Sequence, residues 1–261
     1  MIMPVVLCDA DNTLWDTDAV FADAQRALLE NIESMIGAQC DRPDRLDFVR
    51  QYDQALALIH HLHLRYPPHL LVLALTEGLN GKSPETAAIQ IVSGISQAGP
   101  ISLEAAEELG SLFQERLKVI PRLLPGVRDG LRLALQKDVP IYMLTEGRID
   151  KQKRIIESHK LSENFRAVLE MTKSLQQYER LRSRFLPAEV VVLGDQLDRD
   201  IDPARAAGCT TVYVPGRFTP SWNLSKGSQH ASYQAENFED AMIWIINRVV
   251  PYFKSSRVAD T

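Results

Sequence analysis

Val5-Val6-Leu7-Cys8-Asp9-Ala10-Asp11-Asn12-Thr13-Leu14-Trp15 decides how the rest of this chain is read. Val5 to Cys8 is a short, wholly apolar run, the pattern of a strand buried on both faces. It stops at two carboxylates spaced by one residue, followed by Asn12 and Thr13, which signal a turn. In an open parallel sheet the functional crevice lies at the carboxyl ends of the strands. A spacing of two puts Asp9 and Asp11 on the same side of an extended chain. Taken alone, the pair reads as two solvated acids opening a loop. Its meaning depends on what the other strands end in.

After Trp15 the pattern turns helical for about a hundred residues. Phe21, Ala24, Leu28, Ile32 and Met35 recur at helical spacing behind Asp16-Thr17-Asp18, which offers an N-cap, and Gly37 stops the run. Asp44 can cap a second helix carrying Phe48, Tyr52, Leu56, Ile59 and Leu62, ending before Pro67-Pro68. His69 to Leu79 is a third, Ser83-Pro84 opens a fourth that closes by Gly99-Pro100, and Ser102 caps a fifth through Leu117. Period-2 alternation is absent throughout, so the expectation is an all-helical module.

From Pro121 helices and apolar strands alternate. Val139–Leu144, Phe165–Met171, Val190–Leu193 and Thr210–Val214 read as strands, with helices over Val127–Lys137, after Gly147, over Ser174–Phe185 and ending at Gly208. That rhythm implies an α/β fold with a doubly wound parallel sheet, a Rossmann-like core to which the first strand also belongs. The expected domains are 1–15 with 121–261 as the core and 16–120 as an inserted all-helical cap.

Bulk properties exclude several classes. The 261 residues allow a sizeable core, and 45% hydrophobic with 24% charged residues is ordinary globular composition. A net charge of −5 offers no basic face for nucleic acid or an anionic membrane. Cys8, Cys40 and Cys209 show no paired metal spacing and fit a reducing compartment. The start Met1-Ile2-Met3-Pro4 lacks the pattern of a signal peptide, and no apolar run approaches the ~20 residues of a membrane span. A cytoplasmic protein, monomer or homodimer, is the expectation.

Four strand ends then line up: Asp9-Ala10-Asp11; Leu144-Thr145-Glu146-Gly147; Met171-Thr172-Lys173; and Leu193-Gly194-Asp195-Gln196-Leu197-Asp198-Arg199-Asp200. Each segment alone is weak, and a lone lysine such as Lys173 is ordinarily a solvated surface group. All four in this order are specific. Together they resemble the haloacid dehalogenase superfamily, supported by Leu124-Pro125-Gly126-Val127, Lys160-Leu161-Ser162-Glu163-Asn164-Phe165 and Ala206-Ala207-Gly208. The resemblance covers residues 3–15 and about 121–250, and the helical insert after the first motif matches the family's type-1 cap.

Chemistry and resemblance point the same way. Phosphoester hydrolysis needs a nucleophile, a proton donor for the leaving oxygen and neutralisation of a dianion. Asp9 would attack phosphorus, and Asp11 would protonate the leaving group and then activate water. Crowding of carboxylates would raise the pKa of the one farthest from a cation, which suits Asp11 as the acid. Asp9, Asp195 and Asp200 would repel one another without a hard divalent cation, for which Mg²⁺ fits; the resemblance adds the carbonyl of Asp11 as a ligand. Thr145 offers a hydroxyl, the N–H groups of Glu146 and Gly147 can face a phosphate, and Lys173 balances both phosphate and Asp9.

Glu146 departs from the small or amide residue that the family commonly has there, and must point away from a phosphate to be tolerated. Asp198 and Arg199 read as an ion pair. Trp15, Asp16 and Tyr52 are candidates for contacts on the cap side, Trp15 among the substrate-binding residues. His60, His61, His63 and His69 lack a further ligand at metal spacing and read as a polar helix face. The loop Arg217–His230 has no derivable purpose.

The expected activity is a Mg²⁺-dependent phosphatase acting on a small phosphorylated metabolite through an aspartyl-phosphate. The alternatives are a phosphomutase of the β-phosphoglucomutase type or a silent binding module. Asp11 argues against dehalogenation, which does not need that acid. Neither Lys82 nor Lys118 sits in the context of an imine-forming cap lysine.

Overall fold

The structure, a computed structural model, describes residues 3–60, 66–94, 99–223 and 231–249. His61, His63 and the 224–230 part of the long loop lie outside them. The chain divides into two compact units, one of residues 1–18 and 120–261, the other of residues 19–119.

The first unit is a six-stranded, all-parallel sheet: β1 (Val5–Asp9), β2 (Ile141–Thr145), β3 (Ala167–Glu170), β4 (Val190–Gly194), β5 (Thr210–Tyr213) and β6 (Tyr233–Gln234). Its order is β3-β2-β1-β4-β5-β6. Every residue of β1 and β4 is buried, as a central strand with both faces covered requires. Alternate residues serve opposite faces. Val6, Cys8, Val191 and Leu193 join one apolar cluster with Val127, Leu131, Ile155 and Phe238, whereas Val5, Leu7, Val190 and Val192 join another with Tyr178 and Ala204. The covering helices are α6 (Val127–Gln136), α7 (Ile149–Ser158) and α10 (Phe238–Trp244) on the first face, and α8 (Leu175–Phe185) and α9 (Asp202–Ala206) on the second. The strand order reverses between β1 and β4, so the topological switch point falls where Asp9 and Asp195 emerge.

The second unit is built on α1 (Thr17–Ile36), α2 (Arg45–Ile59), α3 (Pro68–Leu79), α4 (Pro84–Val92) and α5 (Leu103–Arg116) around a core of Leu28, Ile32, Phe48, Leu56, Leu71, Leu75 and Phe113. Asp44, Ser83 and Ser102 each accept a hydrogen bond from the backbone N–H three residues on, as their sequence contexts predict. The fourth helix ends at Val92, well before Gly99-Pro100, with Gly94 at φ +67° past its end. β6 was not anticipated: two residues at a sheet edge carry no periodicity. No described helix is long and apolar enough to cross a membrane.

Candidate active site

The strand register sets the heights of the functional groups. Asp9 pairs with Leu144 and Cys8 with Leu193, so Thr145 and Asp195 stand one and two residues beyond those pairs at the same rim. Lys173 arrives three residues after β3. Its ammonium is enclosed and bonds Asp9 Oδ1 and Asp200 Oδ1, the latter at 2.6 Å. Asp200 comes back to the rim because a π-helical turn, Leu197–Ile201, follows β4. Gly194 makes room for it: a Cβ there would lie 2.6 Å from Asp200 Cβ. Gln196 N–H donates to Asp200 Oδ2 and Thr13 Oγ1 to Asp9 Oδ2.

Asp9, Asp195 and Asp200 each bring a carboxylate oxygen within 4.8 Å of the others, the single such group of possible metal ligands among the described residues. Burial pushes the Asp9 carboxyl up to about 7 against the pull of Lys173, with Asp200 and Asp11 adding to the rise. Asp195 is pushed well above the carboxylate range by burial and by the charges of Asp9 and Asp200. Asp200 is raised too, burial outweighing Lys173. Burial also works against the Lys173 ammonium, but Asp200 and Asp9 hold it charged, well above its ordinary pKa. One cation against three buried acids leaves the cluster short of positive charge. Asp195 Oδ1 is enclosed with no hydrogen-bond partner among the described residues, a costly state for a carboxylate oxygen. Oxygen-only donors, a charge deficit and an orphaned lone pair fit a hard divalent cation.

Asp11 has its own set of hydrogen-bond partners. Its Oδ1 accepts from Thr17 Oγ1 at 2.7 Å and from Trp15 Nε1 at 3.3 Å, and its Oδ2 from Gln152 Nε2 at 3.1 Å. The carboxylates of Asp9 and Asp11, two residues apart, therefore have different partners. The same Gln152 amide reaches Thr145 Oγ1 at 3.3 Å.

Several expectations need correcting. Trp15 has no surface to offer a substrate: it is fully buried, and its indole N–H is spent on Asp11. Gly147 N–H does not stand free for a phosphate; it donates to Thr145 Oγ1 at 2.9 Å, closing a tight turn before α7. The first N–H of α7, that of Ile149, is taken by Glu170 at 3.1 Å. Asp16 is buried and bound by Arg122 at 2.9 Å and Arg217 at 3.5 Å. Tyr52 is a core aromatic lying over Gly78, its hydroxyl on Lys82 O at 2.5 Å. His60 and His69 join no cluster of possible metal ligands among the described residues.

Glu146 does turn aside. Its carboxylate accepts from Lys173 N at 2.9 Å and from Arg199 Nη1 at 3.0 and 3.1 Å. Arg199 thus bridges the second and fourth strand ends, with Asp198 at 4.0 Å on its other side. Gln152, Thr13 and the hydroxyl role of Thr17 were missed. Gln152 lies in the charged run Asp150-Lys151-Gln152-Lys153-Arg154, where nothing marks one polar residue as the buried one except its position four before Ile156 and three before Ile155.

Solved structures share the fold over nearly the whole chain. A haloacid dehalogenase-like family hydrolase from Xanthomonas campestris matches at TM-score 0.61 and 20% identity, covering 96% of this chain and 97% of that one. The HAD-hydrolase YfnB from Bacillus subtilis, bound to magnesium, matches at TM-score 0.60 and 17% identity over 94% and 99%. A Haemophilus somnus protein described as a phosphoglycolate phosphatase matches at TM-score 0.58 and 14% identity over 94% and 98%. No curated protein matches the chain at a significant level. The family model for haloacid dehalogenase-like hydrolases matches residues 3–208, a span that holds β1, β2, β3 and β4 with the carboxylates and lysine at their ends, and the chain belongs to that family.

Proposed function

We propose that this hydrolase is a phosphatase acting on a small phosphomonoester through a phosphorylated Asp9, with Mg²⁺ as its cation. The observation that carries the reading is the separate placement of Asp11. A carboxylate two residues from a nucleophile, tied to Thr17, Trp15 and Gln152 and not to Lys173, is placed to move protons while the other carboxylates handle charge.

In the first step an oxygen of Asp9 attacks phosphorus, the ester P–O bond breaks, and the leaving oxygen takes a proton from Asp11. In the second, Asp11 takes a proton from water, the water oxygen attacks phosphorus, and the bond to Asp9 breaks to release phosphate. Lys173 neutralises Asp9 and Asp200 throughout, and the Thr145 hydroxyl donates to a phosphate oxygen. Asp9, Asp195 and Asp200 would hold Mg²⁺, which supplies charge neutralisation for the phosphoryl oxygens. The magnesium-bound Bacillus structure of the same fold supports that choice. Selectivity is assigned to the helical unit, inserted in sequence directly after the first motif.

The test is phosphate release from a generic aryl phosphate and from a panel of phosphorylated metabolites, with and without Mg²⁺. Magnesium-dependent turnover that disappears in Asp9→Asn is expected. A panel with no turnover at all sinks the enzyme reading. A phosphomutase, which one neighbour from Thermotoga maritima is described as, would transfer the phosphoryl group between positions of a sugar phosphate faster than it releases phosphate.

A further inference from the structure

Gln152 is wholly buried, with a side chain that does polar work on two functional groups at once. Its Nε2 donates to Asp11 Oδ2 at 3.1 Å and to Thr145 Oγ1 at 3.3 Å, while its Oε1 is enclosed with no hydrogen-bond partner among the described residues. A buried amide that leaves its carbonyl unsatisfied gives up stability. Turning the amide over would put Oε1 against a carboxylate oxygen and against a hydroxyl whose hydrogen it would capture. The observed orientation keeps N–H on both groups.

The consequence at Thr145 follows from counting. A hydroxyl has two acceptor positions and one donor. Thr145 Oγ1 already accepts from Gly147 N–H at 2.9 Å, and Gln152 fills the second position. The remaining hydrogen can only be donated, and no side chain or carbonyl among the described residues takes it. A freely rotating hydroxyl has thereby become an oriented donor.

We infer that Gln152 is a positioning residue of the phosphoryl-transfer site, which holds the proton-moving carboxylate of Asp11 in register with the hydroxyl of Thr145 and fixes that hydroxyl as a donor to a phosphate oxygen. This deepens, and rests on, the phosphatase reading above. Gln152 is wholly buried. It acts through two residues contributed by different strand ends, with α7 as the rigid element that sets the spacing.

The experiment is Gln152→Leu, which keeps the bulk and removes the N–H, with Gln152→Met as an unbranched substitute should the branched side chain disturb the fold. With Mg²⁺ present, kcat on an aryl phosphate should fall about 10- to 100-fold, the scale of a small misplacement of reacting groups. Affinity for inorganic phosphate, measured by calorimetry and so independent of turnover, should fall about tenfold, one hydrogen bond to a charged group. In a Thr145→Val background the same substitution should leave phosphate affinity unchanged, because there is no hydroxyl left to orient. Folded variants with kcat and phosphate affinity within twofold of the parent overturn the inference. So does an equal loss of phosphate affinity in both backgrounds, which would make Gln152 a packing residue only. If the parent enzyme itself turns over no phosphoester, the phosphatase reading falls. The calorimetric cycle still judges the Thr145 link.

Discussion

Both units of this chain draw carboxylates wholly or partly out of solvent, and they satisfy them in opposite ways. In the sheet unit Asp9, Asp195 and Asp200 converge on one another around a single ammonium, that of Lys173. In the helical unit Asp53 of α2 accepts from the hydroxyl of Tyr66 and from Gln25 Nε2, the latter at 2.9 Å, and the charge of Arg50 also favours its ionised form. Both acids are pushed upward by burial, Asp53 despite the hydrogen bonds of Tyr66 and Gln25. The Asp53 network closes on itself, apart from the orphaned Gln25 Oε1. The Asp9 cluster does not close: its charges fail to balance and Asp195 Oδ1 is left over. An acid whose partners satisfy it is structure. A buried acid whose neighbours leave it unbalanced is a site for something else.

The largest effect that would break this contrast is on turnover. Asp9→Asn removes the attacking oxygen and should cost at least about 10⁴-fold in kcat, about 5.5 kcal/mol of barrier, while Asp53→Asn should leave kcat within twofold. Steady-state kinetics on an aryl phosphate checks both, and comparable losses would erase the distinction between the two acids. Next is Lys173→Met, which strips the one cation that, among the described residues, is paired with this group of enclosed carboxylates. Leaving buried charge unpaired typically destabilises by about 3–5 kcal/mol, so the melting temperature should drop sharply without Mg²⁺ and recover in part with it. A variant as stable as the parent in metal-free buffer would mean that the acids are not ionised together.

Smaller still is Gly194→Ala. The added methyl would meet Asp200, and forcing a group into a packed interior costs about 1–3 kcal/mol. Because the collision is with a candidate ligand, Mg²⁺ affinity should fall by more than stability does. Calorimetric titration with Mg²⁺, set beside thermal melting, separates the two. Unchanged affinity would take Asp200 out of the metal shell.

How far the site could be read in the sequence follows from the same contrast. Strand ends announce themselves, because an apolar run must stop and the next residue stands at the rim; Asp9, Thr145 and Asp195 were legible for that reason. Lys173 became legible only in their company. Asp200 was marked as an acid, but its return to the rim depends on a π-turn and on the missing side chain of Gly194, which spacing does not encode. Gln152 and Thr17 were silent, since a polar residue on a helix buries only where the partner element happens to reach it. In the helical unit the capped helices were plain, yet Asp53, Tyr66 and Gln25 meet through tertiary packing across 13 and 28 residues of chain, and nothing local points to that.

The finest test of the comparison is the response of stability to pH. Asp9 is raised from 3.8 to about 7 in the folded protein, so between those values the native state keeps a proton that the unfolded chain has lost. Stability then falls as pH rises, by at most about 1.4 kcal/mol per pH unit for each such proton. The contribution is complete below about 3.8 and gone above about 7. Metal-free protein should therefore melt at progressively lower temperature from about pH 4 to about pH 7. Saturating Mg²⁺, which binds the ionised carboxylates, should flatten that slope and stabilise most at the alkaline end. Asp53 is also raised, but it belongs to no group of possible metal ligands among the described residues, and its share of the slope should not respond to Mg²⁺. Asp9→Asn should accordingly remove much of the magnesium-sensitive part of the pH dependence, and Asp53→Asn should leave that part intact. A slope insensitive to Mg²⁺ in the parent, or one equally altered by either substitution, would show that the two acids differ in neighbours but not in kind.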